Sequence, residues 1–180
     1  MDFQNAIVGM VPEEQRSALI ERVARVLPAM RAAGGTVGHV RVAFTPDDAA
    51  AVPSANKMFS GMPLDRMSAD GPETTIVDDL TPEPDDVVVR KTRVGALSTT
   101  DLHEQLQRRG ITTLVLTGIA TSGVVLSTVR DAADRDYRLL VLSDGCADSD
   151  PRAHDVLVDQ VFQRQADVLS IADFQRALGG

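Results

Sequence analysis

Two stretches of this sequence set reactive or polarising groups where a ligand could meet them. Segment 117–128, Thr-Gly-Ile-Ala-Thr-Ser-Gly-Val-Val-Leu-Ser-Thr, follows the apolar run Thr113-Leu114-Val115-Leu116 and precedes a helical stretch. Strand, small-residue turn and helix in that order put backbone N–H groups at the carboxyl end of a buried strand. Ligands bind there in open α/β sheets, and a helix N-terminus favours negative charge. The second stretch is Val87-Val88-Val89-Arg90-Lys91, a strand that ends on lysine. An ammonium at the end of a buried strand is costly unless it is paired, so a carboxylate partner is expected. Cys146 is the single cysteine; nothing near it in sequence supplies a base, and it reads as a small buried thiol. His39, His103 and His154 lie far apart and make no H-x-H or H-E-x-x-H pattern, so no metal site is expected. No G-x-G-x-x-G follows a strand, which argues against NAD, and no cofactor is expected.

The turn Thr117-Gly118-Ile119-Ala120-Thr121-Ser122-Gly123-Val124-Val125, continued by Thr128, Asp131 and Ala132, resembles the signature of the isochorismatase-like (cysteine hydrolase) family. Lys91-Thr92-Arg93-Val94-Gly95-Ala96-Leu97, continued by Thr100 and Leu102, is similar to the family's segment around its catalytic lysine. Asp2-Phe3-Gln4-Asn5 is similar to the motif that carries its catalytic aspartate, and Asp144-Gly145-Cys146-Ala147-Asp148 to a segment after a later strand. The resemblance implies Asp2 and Lys91 as a catalytic acid and its charge partner. It implies an oxyanion turn at Ile119, Ala120, Thr121 and Gly123, with a cis bond between Ile119 and Ala120. Val124 stands where the family's amidases carry their nucleophilic cysteine. A valine has no lone pair, and Ser122 is the only hydroxyl within two positions, so covalent amide hydrolysis is not expected. Isochorismatases proper also lack the cysteine; in them an aspartic acid protonates a vinyl ether and water completes hydrolysis. The expected function is therefore non-covalent hydrolysis of a small metabolite, with Asp2 as general acid. The alternative is an inactive member that binds a small molecule or serves an assembly.

The elements that must position these groups follow from periodicity. Pro12-Glu13-Glu14 starts a helix in which Leu19, Val23, Val26, Leu27 and Met30 recur on one face, with Pro28 kinking its end and Gly34-Gly35 stopping it. Strands are expected at 37–44, 87–91, 113–116, 138–143 and 167–170. Helices are expected at 102–109, capped by Thr99 or Thr100, and at 125–134, 151–165 and 172–178. Alternating strands and helices predict a three-layer α/β/α sandwich around a mostly parallel sheet, one domain over 1–180. The family's first central strand has five or more apolar residues before its aspartate, and here only Met1 precedes Asp2. That strand is expected to be truncated, or completed by residues upstream of Met1. Segment 45–86 reads as a long excursion with one short helix. Phe44, Phe59 and Met58 would line an apolar pocket or belong to ordinary core, and the sequence leaves both open. His39 reads as a packed or edge histidine, and Arg93 as a solvated or subunit-contact residue.

Composition bounds the partners. With 180 residues the chain suits a single core, and a net charge of -8 with no basic patch argues against nucleic acid or an anionic membrane surface. No apolar run approaches a membrane span and no signal peptide opens the chain. One cysteine permits no internal disulfide, so a cytoplasmic setting is expected. The resemblance implies a homo-oligomer, a dimer or larger.

Overall fold

The computed structural model describes residues 1–179. Two parallel ladders carry the fold. Strand β1 (Gly38–Val42) pairs with β2 (Val87–Lys91), and β3 (Thr113–Ile119) with β4 (Arg138–Ala147), which pairs in turn with β5 (Asp167–Leu169). Met1 and Asp2 join the ladders. The Asp2 N–H donates to the Val40 carbonyl at 2.7 Å, and the Ile119 N–H donates to the Met1 carbonyl at 3.2 Å. The Gln4 side chain adds a rung further along β1: its amide donates to Val42 O and its carbonyl accepts from Val42 N, both at 2.8 Å. The order across the layer is therefore β2, β1, Met1–Asp2, β3, β4, β5. Met1 and Asp2 thus occupy the place of the expected first central strand, between β1 and β3.

Helices cover both faces. A short helix, α1 (Asn5–Val8), follows Gln4. On one side lie α2 (Glu13–Ala32) and α7 (Ile171–Leu178), packed through Leu19, Val23, Val26, Ile171 and Phe174 onto Ile119 and Leu142. On the other lie α4 (Leu102–Arg108), α5 (Leu126–Ala133) and α6 (Pro151–Val156), whose Leu102, Leu106 and Val129 pack with Val40, Val89, Val141 and Phe162. Both faces of the central strand β3 are thus apolar, as the unbroken run at 114–116 requires, whereas in the edge strand β2 Val87 and Val89 are buried and Val88 is exposed. Pro28 sits inside α2, which continues to Ala32 before Gly34, at φ 77°, ends it.

Several expected boundaries shift. The α4 helix starts at Leu102 after Asp101; Thr100 is not its cap residue, although its hydroxyl accepts from the Leu102 N–H at 3.2 Å. Strand β4 runs on to Ala147, because Gly118 and Ile119 pair with Cys146 and Ala147 beyond a register shift. The helix expected over 151–165 breaks into α6, a π turn at Leu157–Val161 and a 3-10 turn at Phe162–Arg164. Excursion 45–86 holds α3 (Pro46–Ala50), capped by a reciprocal Thr45–Asp48 pair, together with four 3-10 turns. It is anchored to the end of β1 by Phe44 N–H to Met67 O and Ala69 N–H to Phe44 O, each 2.8 Å.

Candidate active site

Asp2 and Lys91 come from opposite ends of the layer's left half and meet at the strand carboxyl ends. Lys91 is the last residue of β2, and its Nζ lies 2.8 Å from Asp2 Oδ2. Both are buried, with side-chain exposures of 2% and 7%. Nζ also donates to the Arg93 carbonyl at 3.2 Å. Asp2 takes a left-handed backbone, φ 59°, which aspartate tolerates better than most residues. Its second oxygen, Oδ1, is buried and has no hydrogen-bond partner. Burial pushes the Asp2 carboxyl above the ordinary carboxylate range, while the Lys91 ammonium pulls it back down. The net direction is upward, so this carboxyl holds a proton more readily than a solvated one.

The turn after β3 stands on the same end of the sheet. The Ile119–Ala120 peptide bond is cis. Residues Thr121–Val125 form a π turn broken at Gly123, whose backbone angles (φ -98°, ψ -105°) are not helical, and α5 follows. Gly118 can only be glycine: a Cβ there would lie 2.9 Å from the Met1 carbonyl oxygen. Val124 is 2% exposed, inside the cluster that includes Val89, Ala96, Val125 and Cys146, against which Met1 packs. Among the four proposed oxyanion residues, two N–H groups are already committed: Ile119 donates to Met1 O and Gly123 to Ala120 O, at 3.2 and 3.1 Å. Ser122 is exposed, and its N–H donates to Asp148 Oδ2 at 2.7 Å.

Sequence reasoning assigned no role to the two groups that hold this turn. Asp148 lies just past β4. Burial pushes its carboxyl up, but hydrogen bonds from Ser122 and from the backbone of Asp150 and Ser149 outweigh that and hold it low. His154, on α6, has its Nδ1 2.8 Å from the hydroxyl of Thr121, a fully buried residue. The only available signal was the Asp144–Asp148 segment, whose last residue is this clamp. The lysine segment is tied to the turn's helix as well, since the Ala96 N–H donates to Thr128 Oγ1 at 3.1 Å.

The other candidates lie elsewhere. Phe44 and Phe59 are 2% and 3% exposed and pack as a tilted pair, ring centroids 5.7 Å apart, in a cluster with Val42 and Met67. They are core of the excursion, while Met58 is exposed. The Arg93 guanidinium lies 5.8 Å over the Phe59 ring. His39 packs at 9% exposure with Nε2 3.2 Å from Asp86 Oδ2, an oxygen also held by Arg31. His103 Nδ1 meets the Tyr137 hydroxyl at 3.0 Å. Cys146 is buried, and burial pushes its thiol up to about 12. No cluster of three or more His, Cys, Asp or Glu able to hold a metal occurs among the described residues. Among them no helix is long and apolar enough to cross a membrane.

Known proteins resemble this chain along most of its length. The isochorismatase domain description matches residues 1–173. The ureidoacrylate amidohydrolase RutB of Methylorubrum extorquens is 40% identical over 147 residues, which is 75% of this chain and 59% of that protein. The chain thus spans about three fifths of that relative's length. An uncharacterized isochorismatase family protein of Bacillus subtilis, YwoC, is 31% identical over 171 residues, covering 91% of this chain and 89% of its own. Among solved structures, an isochorismatase family protein from Burkholderia thailandensis superposes with a TM-score of 0.86 at 35% identity, covering 99% of this chain and 93% of its own.

Proposed function

Starting from the fact that this chain belongs to the isochorismatase family of hydrolases, we propose that it hydrolyses a small metabolite without a covalent intermediate, with Asp2 as general acid. One observation carries the reading. Asp2 is a buried carboxyl with one oxygen held by Lys91 and the other free of any partner. A free, desolvated oxygen is where a proton waits for a substrate atom, and burial keeps the proton on it nearer to working pH. Lys91 fixes the carboxyl through Oδ2, and as the proton leaves Oδ1 it compensates the charge that develops. Water then completes the hydrolysis. The turn's N–H groups not already committed, those of Ala120 and Thr121, are the candidates to stabilise charge on the substrate. Enol-ether cleavage suits this chemistry, because it needs a proton donor and water but no nucleophilic side chain.

The amidohydrolase name of one relative favours a second reading, hydrolysis of a ureido-type amide. That reaction in this chain would need a nucleophile, and Val124 supplies no lone pair. A substrate panel separates the two: isochorismate and related enol ethers on one arm, ureidoacrylate on the other, each with the unaltered chain and with Asp2→Asn. Turnover of the first arm only, lost in Asp2→Asn while the fold persists, supports the proposal. Turnover of ureidoacrylate overturns it in favour of amide hydrolysis. No turnover of either arm overturns it in favour of a family member that binds without reacting. The same proposal includes a cytoplasmic setting and self-association into a dimer or larger, which sedimentation velocity tests.

A further inference from the structure

On the edge pair β1–β2, His39 and Arg41 share a face with their ladder partners Val88 and Arg90, because alternate residues of a strand point the same way. Arg31 of α2 shares Asp86 with His39 on that face. Beyond that contact the face is uncovered: Val88, in the middle of its strand, is 48% exposed. The excursion raises a rim around the gap with residues from its 69–71 and 75–82 segments. The result is an open hollow of about 450 Å³, lined by Arg41 and Val88 from the strands. Asp2, Lys91 and the turn after β3 take no part in it.

Arg41 is held in place but only half used. Its Nη1 donates to the Ala69 carbonyl at 2.9 Å and to the hydroxyl of the fully buried Thr74 at 3.2 Å. Its Nε and Nη2 have no partner among the described residues. Two other partly buried arginines nearby, Arg31 and Arg90, are each clasped by a carboxylate, from Asp86 and Asp48. Among the described residues Arg41 has no such partner. A fixed guanidinium with one open edge matches a carboxylate, which it grips through two parallel N–H···O bonds.

The rest of the lining decides what carries that carboxylate. Asp70 and Asp78 stand exposed at the rim, and neither forms an ion pair among the described residues. One guanidinium and two carboxylates make the lining negative, which disfavours a simple anion such as phosphate. A simple amine meets the guanidinium. A molecule with a carboxylate at one end and an ammonium at the other satisfies both kinds of group. Ile76, Pro82 and Val88 add an apolar surface for the remainder of it.

We infer that this hollow binds a free α-amino acid with a small apolar side chain. Its carboxylate sits on the Nε–Nη2 edge of Arg41, its ammonium faces Asp70 and Asp78, and its side chain lies on Val88. The site is separate from the Asp2–Lys91 pair and stands whether or not Asp2 proves catalytic.

The test adds L-leucine to the unaltered chain while the amide signals of Gly71, Ile76 and Val88 are followed by NMR. Isocaproate, isoamylamine and inorganic phosphate run beside it; the first two are leucine without its ammonium and without its carboxylate. The expected result is saturable movement of those three signals by L-leucine in the millimolar range, with each other compound at least tenfold weaker. The double variant Asp70→Asn/Asp78→Asn, altered only at exposed side chains, should weaken L-leucine at least tenfold and leave isocaproate no weaker. Arg41→Gln should abolish leucine binding. Should loss of the Nη1 bonds unfold that chain, Val88→Glu serves instead, since it sets a carboxylate against Arg41 from an exposed position. Absence of a saturable shift with L-leucine overturns the inference. So does phosphate or either half-molecule binding as tightly as leucine, or a folded Asn/Asn or Val88→Glu chain that binds leucine unchanged.

Discussion

Replacing Lys91 by Met should destabilise the protein strongly, and in a pH-dependent way. The Asp2–Lys91 contact is 2.8 Å long and almost wholly out of water. Removing one member of a buried pair leaves an uncompensated charge, which costs about 3–5 kcal/mol. In a domain of this size each kcal/mol moves the melting temperature by ~2–4 °C, so Lys91→Met should melt roughly 6–20 °C lower at neutral pH. The sign with pH follows from Asp2. Its folded pKa already lies above the unfolded value, so the native state binds the extra proton and loses stability as pH rises through that window. Without Lys91 the largest downward pull is gone, leaving only that of the Met1 ammonium, and the folded pKa rises further. The penalty of Lys91→Met should therefore be largest at high pH and shrink as pH falls and Asp2 takes up its proton. The double variant Asp2→Asn/Lys91→Met has no charge to strand and should recover to within about 2 kcal/mol of the unaltered chain. Urea unfolding of the four chains at pH 5, 6.5 and 8 measures this. A single variant no less stable than the double, or a penalty equal at all three pH values, would refute the reasoning.

Other consequences are as concrete. The Met1 amine titrates at about 6 when folded against 8.0 unfolded, so the native state binds fewer protons between those values and stability should rise across pH 6 to 8. That rise amounts to roughly 2–3 kcal/mol by the pKa difference, and N-acetylation of Met1 should flatten it in thermal scans. Cys146, with its thiol pushed up to about 12 and no exposure to speak of, should react with iodoacetamide at pH 8 only as fast as the protein unfolds; mass spectrometry against urea concentration reads this out. Asp148→Ala takes the acceptor from the Ser122 N–H and should cost about 1.5–3 kcal/mol, the range for hydrogen bonds to a charged group, measured by urea unfolding.

Much of this was legible in the sequence because the decisive signals are local and repetitive. Apolar runs such as 87–89 and 114–116 read as strands, although Val88 of the edge strand β2 is exposed, and the stripe Leu19, Val23, Val26 reads as a helix lying on the sheet. The Asp2–Lys91 contact was legible for another reason: a lysine ending a buried strand demands a carboxylate, and the motif around Asp2 offered one. What escaped were features set by side chains that meet only after folding. Asp148 and His154 reach the turn from a separate loop and helix; Asp148 stood out only as the last residue of the 144–148 segment, and His154 carried no periodic or motif signal. The breaks in the helix over 151–165 depend on how Leu157 and Phe162 seat in the core. Phe44 and Phe59 left pocket and core open because an aromatic pair has the same spelling in both. Gln4 was visible only as part of a motif; that its amide substitutes for a strand rung against Val42 is a three-dimensional fact.

The proposed chemistry requires Asp2 to be a proton-holding acid clasped by Lys91. A 13C NMR titration of the Asp2 carboxyl, assigned by its disappearance in Asp2→Asn, tests that directly. The expected midpoint lies above the ordinary aspartate value of 3.8 and moves further up in Lys91→Met. A midpoint at or below that value, or one indifferent to Lys91, would contradict it.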